Sequence, residues 1–470
     1  MNILLGPPGT GKTTKLLSIM DEALSSGVKA ENICFISFTK RAIKEARERV
    51  SAKFNLSLED IDNFRTLHSF AFKYMGMRKD MVMQPKHYQE LSDVLGIELK
   101  LPNDPDDEFS IGSSTATGDR LIFYDGLARN SCLTMEQTWE IWGREDMNYE
   151  DVLRVQEGIF LYKMKYDLYD YTSLIEKYVQ EAPVIPFDLL LVDEAQDLST
   201  LQWKMVEQLV SYSKRAYIAG DDDQAIFRWA GADVNKFISL KGDVTVLDHS
   251  YRLPKEVLEY AREILNNISY RRKKDFNPAG HAGSVQYVDD FEQLDMSEGT
   301  WLILARSSYT LIQASGYARL CGYFFHFQNR GPDSSSYYRA IKAYLFRQRE
   351  GIHNKKEFIE AGRLMSGDFI REQPWIEALD RLPPEKAIWY KSAMEAGQDM
   401  FAVPRIQFST IHGAKGAEAD NVVLFPDLTQ QAYEACHTTE DEHRVLYVAV
   451  TRAKKNLYLM TPRRKYSYAV

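Results

Sequence analysis

Glycines at positions 6, 9 and 11, followed by Lys12 and Thr13, constrain this chain more than any other stretch. Residues 1–5 before them are a short apolar run, and residues 15–20 after them have a helix-like pattern. The spacing G-x-x-x-x-G-K-[ST] between a strand and a helix specifies a particular backbone. Glycines let N–H groups curl around phosphate oxygens with no side chain in the way. The helix N-terminus adds partial positive charge. Lys12 brings a full charge to the outer phosphates, and Thr13 offers a hydroxyl to Mg²⁺. Nucleotide binding by Gly6, Gly9, Gly11, Lys12 and Thr13 is therefore the first expectation.

Composition narrows the class. With 470 residues, of which 44% are hydrophobic, the chain can bury a sizeable core, and its length suggests about three domains. No apolar run approaches the roughly 18 residues needed to span a bilayer. Residues 1–5 have no basic segment before them and lead straight into the glycine loop. They read as a core strand, not a leader. Cys34, Cys132, Cys321 and Cys436 are scattered without metal-ligand spacing, which fits free thiols in a reducing, intracellular compartment, the cytoplasm. The net charge of -9 argues against coating nucleic acid by bulk electrostatics. It leaves room for a local basic or aromatic groove.

Along the chain, apolar runs of strand length at 33–38, 188–192, 215–219 and 244–247 alternate with helical stretches. Thr39 is the expected N-cap of a charged helix over 40–50. A second series of strand-like runs lies at 284–288, 300–305, 323–327, 405–410, 421–425 and 456–460. This alternation predicts α/β architecture with two parallel sheets. The expected division is a first domain over 1–76 and 186–243, a helical insertion over 77–185, a second domain over 244–330 and 401–470, and a short second insertion over 331–400. The first insertion carries an acidic turn at 103–108 and a Gly/Ser/Thr loop at 112–118.

Asp193 and Glu194 end an apolar run. Beside a phosphate loop, one carboxylate can hold Mg²⁺ and its neighbour can take a proton from attacking water. Alone, the pair also fits a solvated strand end. Gln224, after three aspartates, suits a water-positioning or γ-phosphate-sensing role, or a plain loop. Arg252 and Arg452 suit transition-state charge neutralisation, or surface ion pairs. Phe227 and Trp229 flank Arg228 and offer faces for base stacking. Phe227 suits the core equally, whereas Trp229 beside Gly231 leans towards exposure. The basic run 271–274 has the look of a solvated charge cluster, with phosphate contact the alternative.

Read together, these segments resemble the motif series of superfamily 1 helicases of the UvrD/Rep/PcrA type. Residues 6–14 resemble motif I, 38–42 motif Ia, 66–70 motif Ib, 191–197 motif II and 220–232 motif III. Residues 251–252 resemble motif IV, 410–418 motif V and 442–453 motif VI. The resemblance implies two RecA-like P-loop motor domains, each with a parallel sheet and a mostly helical insertion. It implies an ATP and Mg²⁺ site made by Lys12, Thr13, Thr14, Asp193, Glu194 and Gln224, with Thr13 and Asp193 at the metal and Glu194 as general base. Tyr251 would stack on adenine, Glu418 would contact the ribose, and Arg252 and Arg452 would be arginine fingers. Phe38, His68, Phe227, Trp229, Thr410 and His412 would line a single-strand track.

Five residues precede Gly6. The glutamine-containing adenine-recognition segment of those helicases is thus expected to be missing from its usual place, leaving more selectivity to Tyr251. The short second insertion suggests a compact, phage-like member. The implied activity is ATP-driven unwinding by translocation on single-stranded DNA, 3′→5′ by family analogy, acting on single strands and their junctions with duplex, with no membrane role. Two rivals stay open: a translocase that strips proteins with little unwinding, and a nucleotide-switch binding module.

Overall fold

The computed structural model describes residues 1–38, 40–99, 117–143, 147–328, 336–351 and 355–469. The expected cap Thr39, the acidic turn at 103–108 and most of the loop at 112–118 lie outside the described residues. The chain divides into two compact units, Met1–Ser250 with Tyr270–Asn277, and Tyr251–Ser269 with Pro278–Val470.

The first unit is built on strands β1 (Asn2–Leu5), β2 (Ile33–Ser37), β3 (Phe64–Arg65), β4 (Leu189–Asp193), β5 (Ala216–Gly220) and β6 (Asp243–Val246). They form one parallel sheet in the order β3-β2-β4-β5-β1-β6. β2 and β4 are buried at every position, as a parallel strand covered by helices on both faces requires. The faces alternate along each strand. Leu189 and Leu191 pack with Leu16, Leu17 and Met20 of the helix Lys12–Ser25. Leu190 and Val192 pack with Trp203, Met205 and Val206 of the helix Thr200–Ser211 on the other side.

Between β3 and β4 the described residues form helices. Pro85–Leu95, Thr117–Ser131, Met135–Trp142 and Tyr149–Tyr166 share a separate core around Leu91, Leu121, Val152, Val155 and Ile159. The helix Tyr171–Glu181 instead turns Leu174, Ile175 and Tyr178 into the sheet's core. The sequence placed the domain boundary at 243. The structure moves it, because Asp243–Val246 pairs with β1 in parallel register and closes the first sheet.

The second unit repeats the plan with β7 (Ser284–Val288), β8 (Trp301–Ala305), β9 (Phe325–Phe327), β10 (Ile406–Thr410), β11 (Ala419–Phe425) and β12 (Ala453–Met460). Their order is β7-β12-β11-β8-β10-β9, again all parallel. Helices Ser336–Glu350, Trp375–Ala378 and Pro384–Glu395 bury Tyr338, Ile341, Tyr344, Trp375 and Trp389 in the same core as Ile303, Phe325 and Phe408. This second insertion is packed into its domain.

Candidate nucleotide site and nucleic-acid interface

In an open parallel sheet, ligands bind beyond the carboxyl ends of the strands. β1 ends at Leu5, and the Gly6 N–H donates to Gly220 O at 3.1 Å, tying the loop to the end of β5. A Cβ on Gly6 would meet Lys12 Cγ at 1.7 Å, so the lysine can fold back only over glycine. Gly9 and Gly11 adopt φ of 72° and 77°, where a side chain is strained. Gly11 stands at the N-cap of the helix Lys12–Ser25; no side chain caps that helix and its first turn holds no acidic residue. The positive end of the helix therefore faces the loop without an acidic offset of its own. Thr14 lies exposed in the first turn.

β4 delivers Asp193 beside this loop. Thr13 Oγ1 donates to Asp193 Oδ2 at 2.7 Å. Burial and the neighbouring Glu194 push the Asp193 carboxyl up to about 6, against the pull of Lys12 and Thr13. A buried carboxylate in this setting gains from a cation, and two adjacent hard oxygens suit Mg²⁺. Lys12 Nζ donates to Gly6 O at 3.2 Å and lies 3.5 Å from Glu194 Oε1. Glu194 takes φ of 54°, a left-handed conformation that a non-glycine residue holds at a cost of about 1–3 kcal/mol.

Gln196, which sequence reading did not single out, joins the motifs. Its Nε2 donates to Glu194 Oε2 at 2.6 Å, and its Oε1 accepts from the Asp221 N–H at 3.0 Å. Gln224 Nε2 in turn donates to Asp221 Oδ2 at 2.7 Å. Lys12, Thr13, Asp193, Glu194 and Gln224 are thus brought onto one connected network.

The expected solvated run at 271–274 is corrected by the structure. Lys274 is buried, with Nζ 2.9 Å from Asp221 and 3.0 Å from Asp223. Arg271 clamps Asp223 with bonds of 2.6 and 2.5 Å. Three buried aspartates need cations nearby, and this run supplies them.

The aromatic residues of the first unit lie further along. Phe38 stacks on Phe227, centroids 6.3 Å apart and planes at 22°. Phe227 is buried and Phe38 half-buried, so the phenylalanine pair has its more accessible face at residue 38. Trp229 is half-buried against Phe123, 5.9 Å between centroids. His68 meets the Tyr171 ring edge-on at 5.7 Å. Both lie in a groove also lined by Lys44, Arg47, Arg65, Lys79 and Glu48, in which Lys44 pairs with Glu48 and both arginines pair with Asp62. Phe123 and Tyr171 come from the helical insertion, and no local pattern marks them.

In the second unit Tyr251 is 74% exposed. Arg252 binds Glu418 through Nε at 2.7 Å and Nη2 at 2.6 Å. Lys454 reaches the other carboxylate oxygen at 2.6 Å. Burial would raise the Glu418 carboxyl, but Arg252 and Lys454 hold it below the usual range. Arg452 is buried, with Nε donating to Val448 O at 2.9 Å and Nη1 to Ala417 O at 3.4 Å. Thr410 closes β10 and caps the turn after it, its Oγ1 accepting from the Gly413 N–H at 3.2 Å. His412 lies half-buried in that turn.

Residues 1–245, more than half of the chain, match the UvrD/REP helicase N-terminal domain, and residues 352–464 match the UvrD-like helicase C-terminal domain. The chain belongs to the UvrD/REP helicase family. Its two parallel-sheet units are accordingly RecA-like. It is 27% identical to the ATP-dependent DNA helicase PcrA of Bacillus subtilis over 292 residues, which cover 58% of this chain and 38% of that protein. It is 22% identical to the PcrA of Staphylococcus epidermidis over 606 residues, covering 97% of this chain and 80% of that one. A probable DNA helicase II homolog of Mycoplasma genitalium matches at 25% over 301 residues, 58% of this chain and 42% of that protein. The chain therefore spans less than half the length of the Bacillus and Mycoplasma relatives and most of the Staphylococcus one.

Proposed function

We propose that this chain is an ATP-dependent DNA helicase that translocates on single-stranded DNA and opens duplex at junctions, 3′→5′ by family analogy. The observation that carries the reading is the meeting of Thr13 with Asp193 and of Lys12 with Glu194 where β1 and β4 end. That is the donor set phosphoryl transfer needs: a cation for the phosphates, oxygens for Mg²⁺ and a carboxylate for the water's proton.

Mg²⁺, held by Thr13 and Asp193, would neutralise charge on the phosphates. A triphosphate competes with Glu194 for the Lys12 ammonium, and its arrival releases the carboxylate to accept a proton from water. Gln224 orients that water through its tie to Asp221. Tyr251 supplies a face for adenine, Glu418 a carboxylate for the ribose, and Arg252 and Arg452 guanidinium charge for the transition state. Two residues separate Gln224 from Phe227, and Trp229 stands two positions further on. Hydrolysis and base grip thus share one short loop. Single-stranded DNA is expected along Phe38, His68, Phe227 and Trp229 in the first unit, and along Thr410 and His412 in the second.

The test is ATP hydrolysis with and without single-stranded DNA, together with strand displacement on duplexes bearing a 3′ or a 5′ tail. DNA-stimulated hydrolysis with displacement only from the 3′ tail is the expected result. Hydrolysis indifferent to DNA would overturn the helicase reading, stimulation without displacement would reduce it to a translocase, and displacement from the 5′ tail would reverse the polarity.

A further inference from the structure

Asp221, Asp222, Asp223 and Lys274 are all buried. Charged groups out of water are costly unless they answer one another with good geometry. Here the ammonium lies within reach of all three carboxylates, at 2.9 Å from Asp221, 3.0 Å from Asp223 and closest to Asp222. The Arg272 backbone N–H adds a bond to Asp222 at 2.7 Å, and Arg271 holds Asp223 through both its carboxylate oxygens. Three carboxylates this close have the makings of a metal site, yet the protein's own ammonium fills the position a metal would take.

The same carboxylates face the nucleotide network. Asp221 accepts from Gln224, and its N–H donates to Gln196, whose amide donates to Glu194. An unbroken path of bonds therefore runs from Lys274 to the proposed general base.

Chain connectivity gives this path a direction. The chain leaves the first unit after Ser250 and comes back only for Tyr270–Asn277. The returning stretch is pinned at its end, where the Asn277 N–H donates to Asp248 O at 2.8 Å and Asn277 O accepts from the Ser250 N–H at 2.9 Å. Arg272 fastens its middle, Nε donating to Ile238 O at 3.0 Å. Both ends of the stretch continue covalently into the second unit.

We propose that Tyr270–Asn277 is a strap, and that Lys274 and Arg271 are positioning residues through which the second unit sets Asp221, and with it Gln224 and Glu194. The inference rests on the hydrolysis reading above and adds to it the route by which movement reaches the chemistry. A strap of this kind is expected to act on turnover more than on nucleotide affinity, because its path meets Gln224 and Glu194 first and reaches Lys12 only through Glu194.

Lys274→Met by itself removes the ammonium shared by three buried carboxylates, of which Asp223 keeps Arg271, and is expected to unfold the unit. The deciding variants are therefore Arg271→Gln, which loosens the clamp on Asp223, and the charge-balanced pair Lys274→Met with Asp222→Asn. Both are measured in the full chain by thermal melting, by KM for ATP and by kcat with saturating oligo(dT). The expected result is a folded protein whose KM stays within about twofold while kcat with DNA falls roughly tenfold, the size typical of losing an outer positioning contact. Arg271→Lys should recover part of the loss. A stimulated kcat within about twofold of wild type, in a variant that melts normally, overturns the strap. A wild-type chain that hydrolyses no ATP would instead sink the hydrolysis reading itself, and is recognised before any variant is made.

Discussion

Thr13 donates its hydroxyl hydrogen to Asp193 Oδ2 across 2.7 Å, although 180 positions separate the two residues. One comes from the phosphate loop and the other from the end of β4, so their meeting joins the two halves of the proposed Mg²⁺ site. Thr13→Ala removes one oxygen and leaves Asp193 in place. ATP hydrolysis should fall roughly 10–100-fold, as for other losses around a metal, and raised Mg²⁺ should recover part of it. A variant with wild-type turnover at low Mg²⁺ would remove Thr13 from the site.

Lys12→Ala should abolish hydrolysis while the protein melts as before. Lys12 reaches Gly6 O and Glu194 but is not part of the sheet's core. Normal turnover in that variant would refute the phosphate-loop assignment.

Glu194→Gln keeps the shape and the bond to Gln196 while removing the base. General-base loss typically costs about 10²–10⁴-fold in kcat. Nucleotide binding, followed with a fluorescent ATP analogue, should survive. Loss of binding in step with turnover would make Glu194 a structural partner of Lys12 and not a base.

Trp229→Ala should weaken single-strand binding by about 1–3 kcal/mol, the worth of one stacked base. Hydrolysis without DNA should change little. Anisotropy of a labelled oligonucleotide measures the first and a phosphate-release assay the second. Unchanged affinity would leave Trp229 as packing against Phe123.

Asp170 caps the helix Tyr171–Glu181, accepting from the Ser173 N–H at 2.7 Å, and pairs with Arg129 and Lys163 at 2.7 Å each. Burial would raise this carboxyl, but Arg129 and Lys163 hold it far below the usual carboxylate range. A depressed folded value stabilises above the unfolded value, near 3.9, and that contribution is lost as pH falls through the folded value. Asp170→Asn keeps the cap and removes the charge. It should cost about 3–5 kcal/mol at pH 7, as for other broken buried pairs. The deficit should shrink progressively below about pH 4. Urea melts at both ends of that range check it, and a deficit independent of pH would show that packing, not charge, is at stake.

The glycine loop was legible because its constraint is local. Positive φ at Gly9 and Gly11, and the fold-back of Lys12 over Gly6, follow from residues within seven positions of the chain. The parallel strands were legible for a similar reason. A strand buried on both faces reads as a near-continuous apolar run, and β4 does so from Leu189 to Val192 before it ends at Asp193. Ordered motifs then carried the family, since each is a short string.

Other features depended on which distant residues pack together, and no short string records that. Asp243–Val246 reads as a strand from its own residues, but only its pairing with β1 assigns it to the first sheet. Gln196 looks like any polar residue after a strand until Glu194 and the Asp221 N–H are found on either side of it. The run 271–274 has the composition of a solvated surface. Three aspartates some fifty positions earlier draw Lys274 inside, because a buried charge is tolerated only where its counter-charges are buried with it. Sequence alone determined the phosphate loop, the sheet-forming strands and the family; the tertiary structure decided which charges those strands bring within reach of one another, since an ion pair is set by distance in space and not by position along the chain.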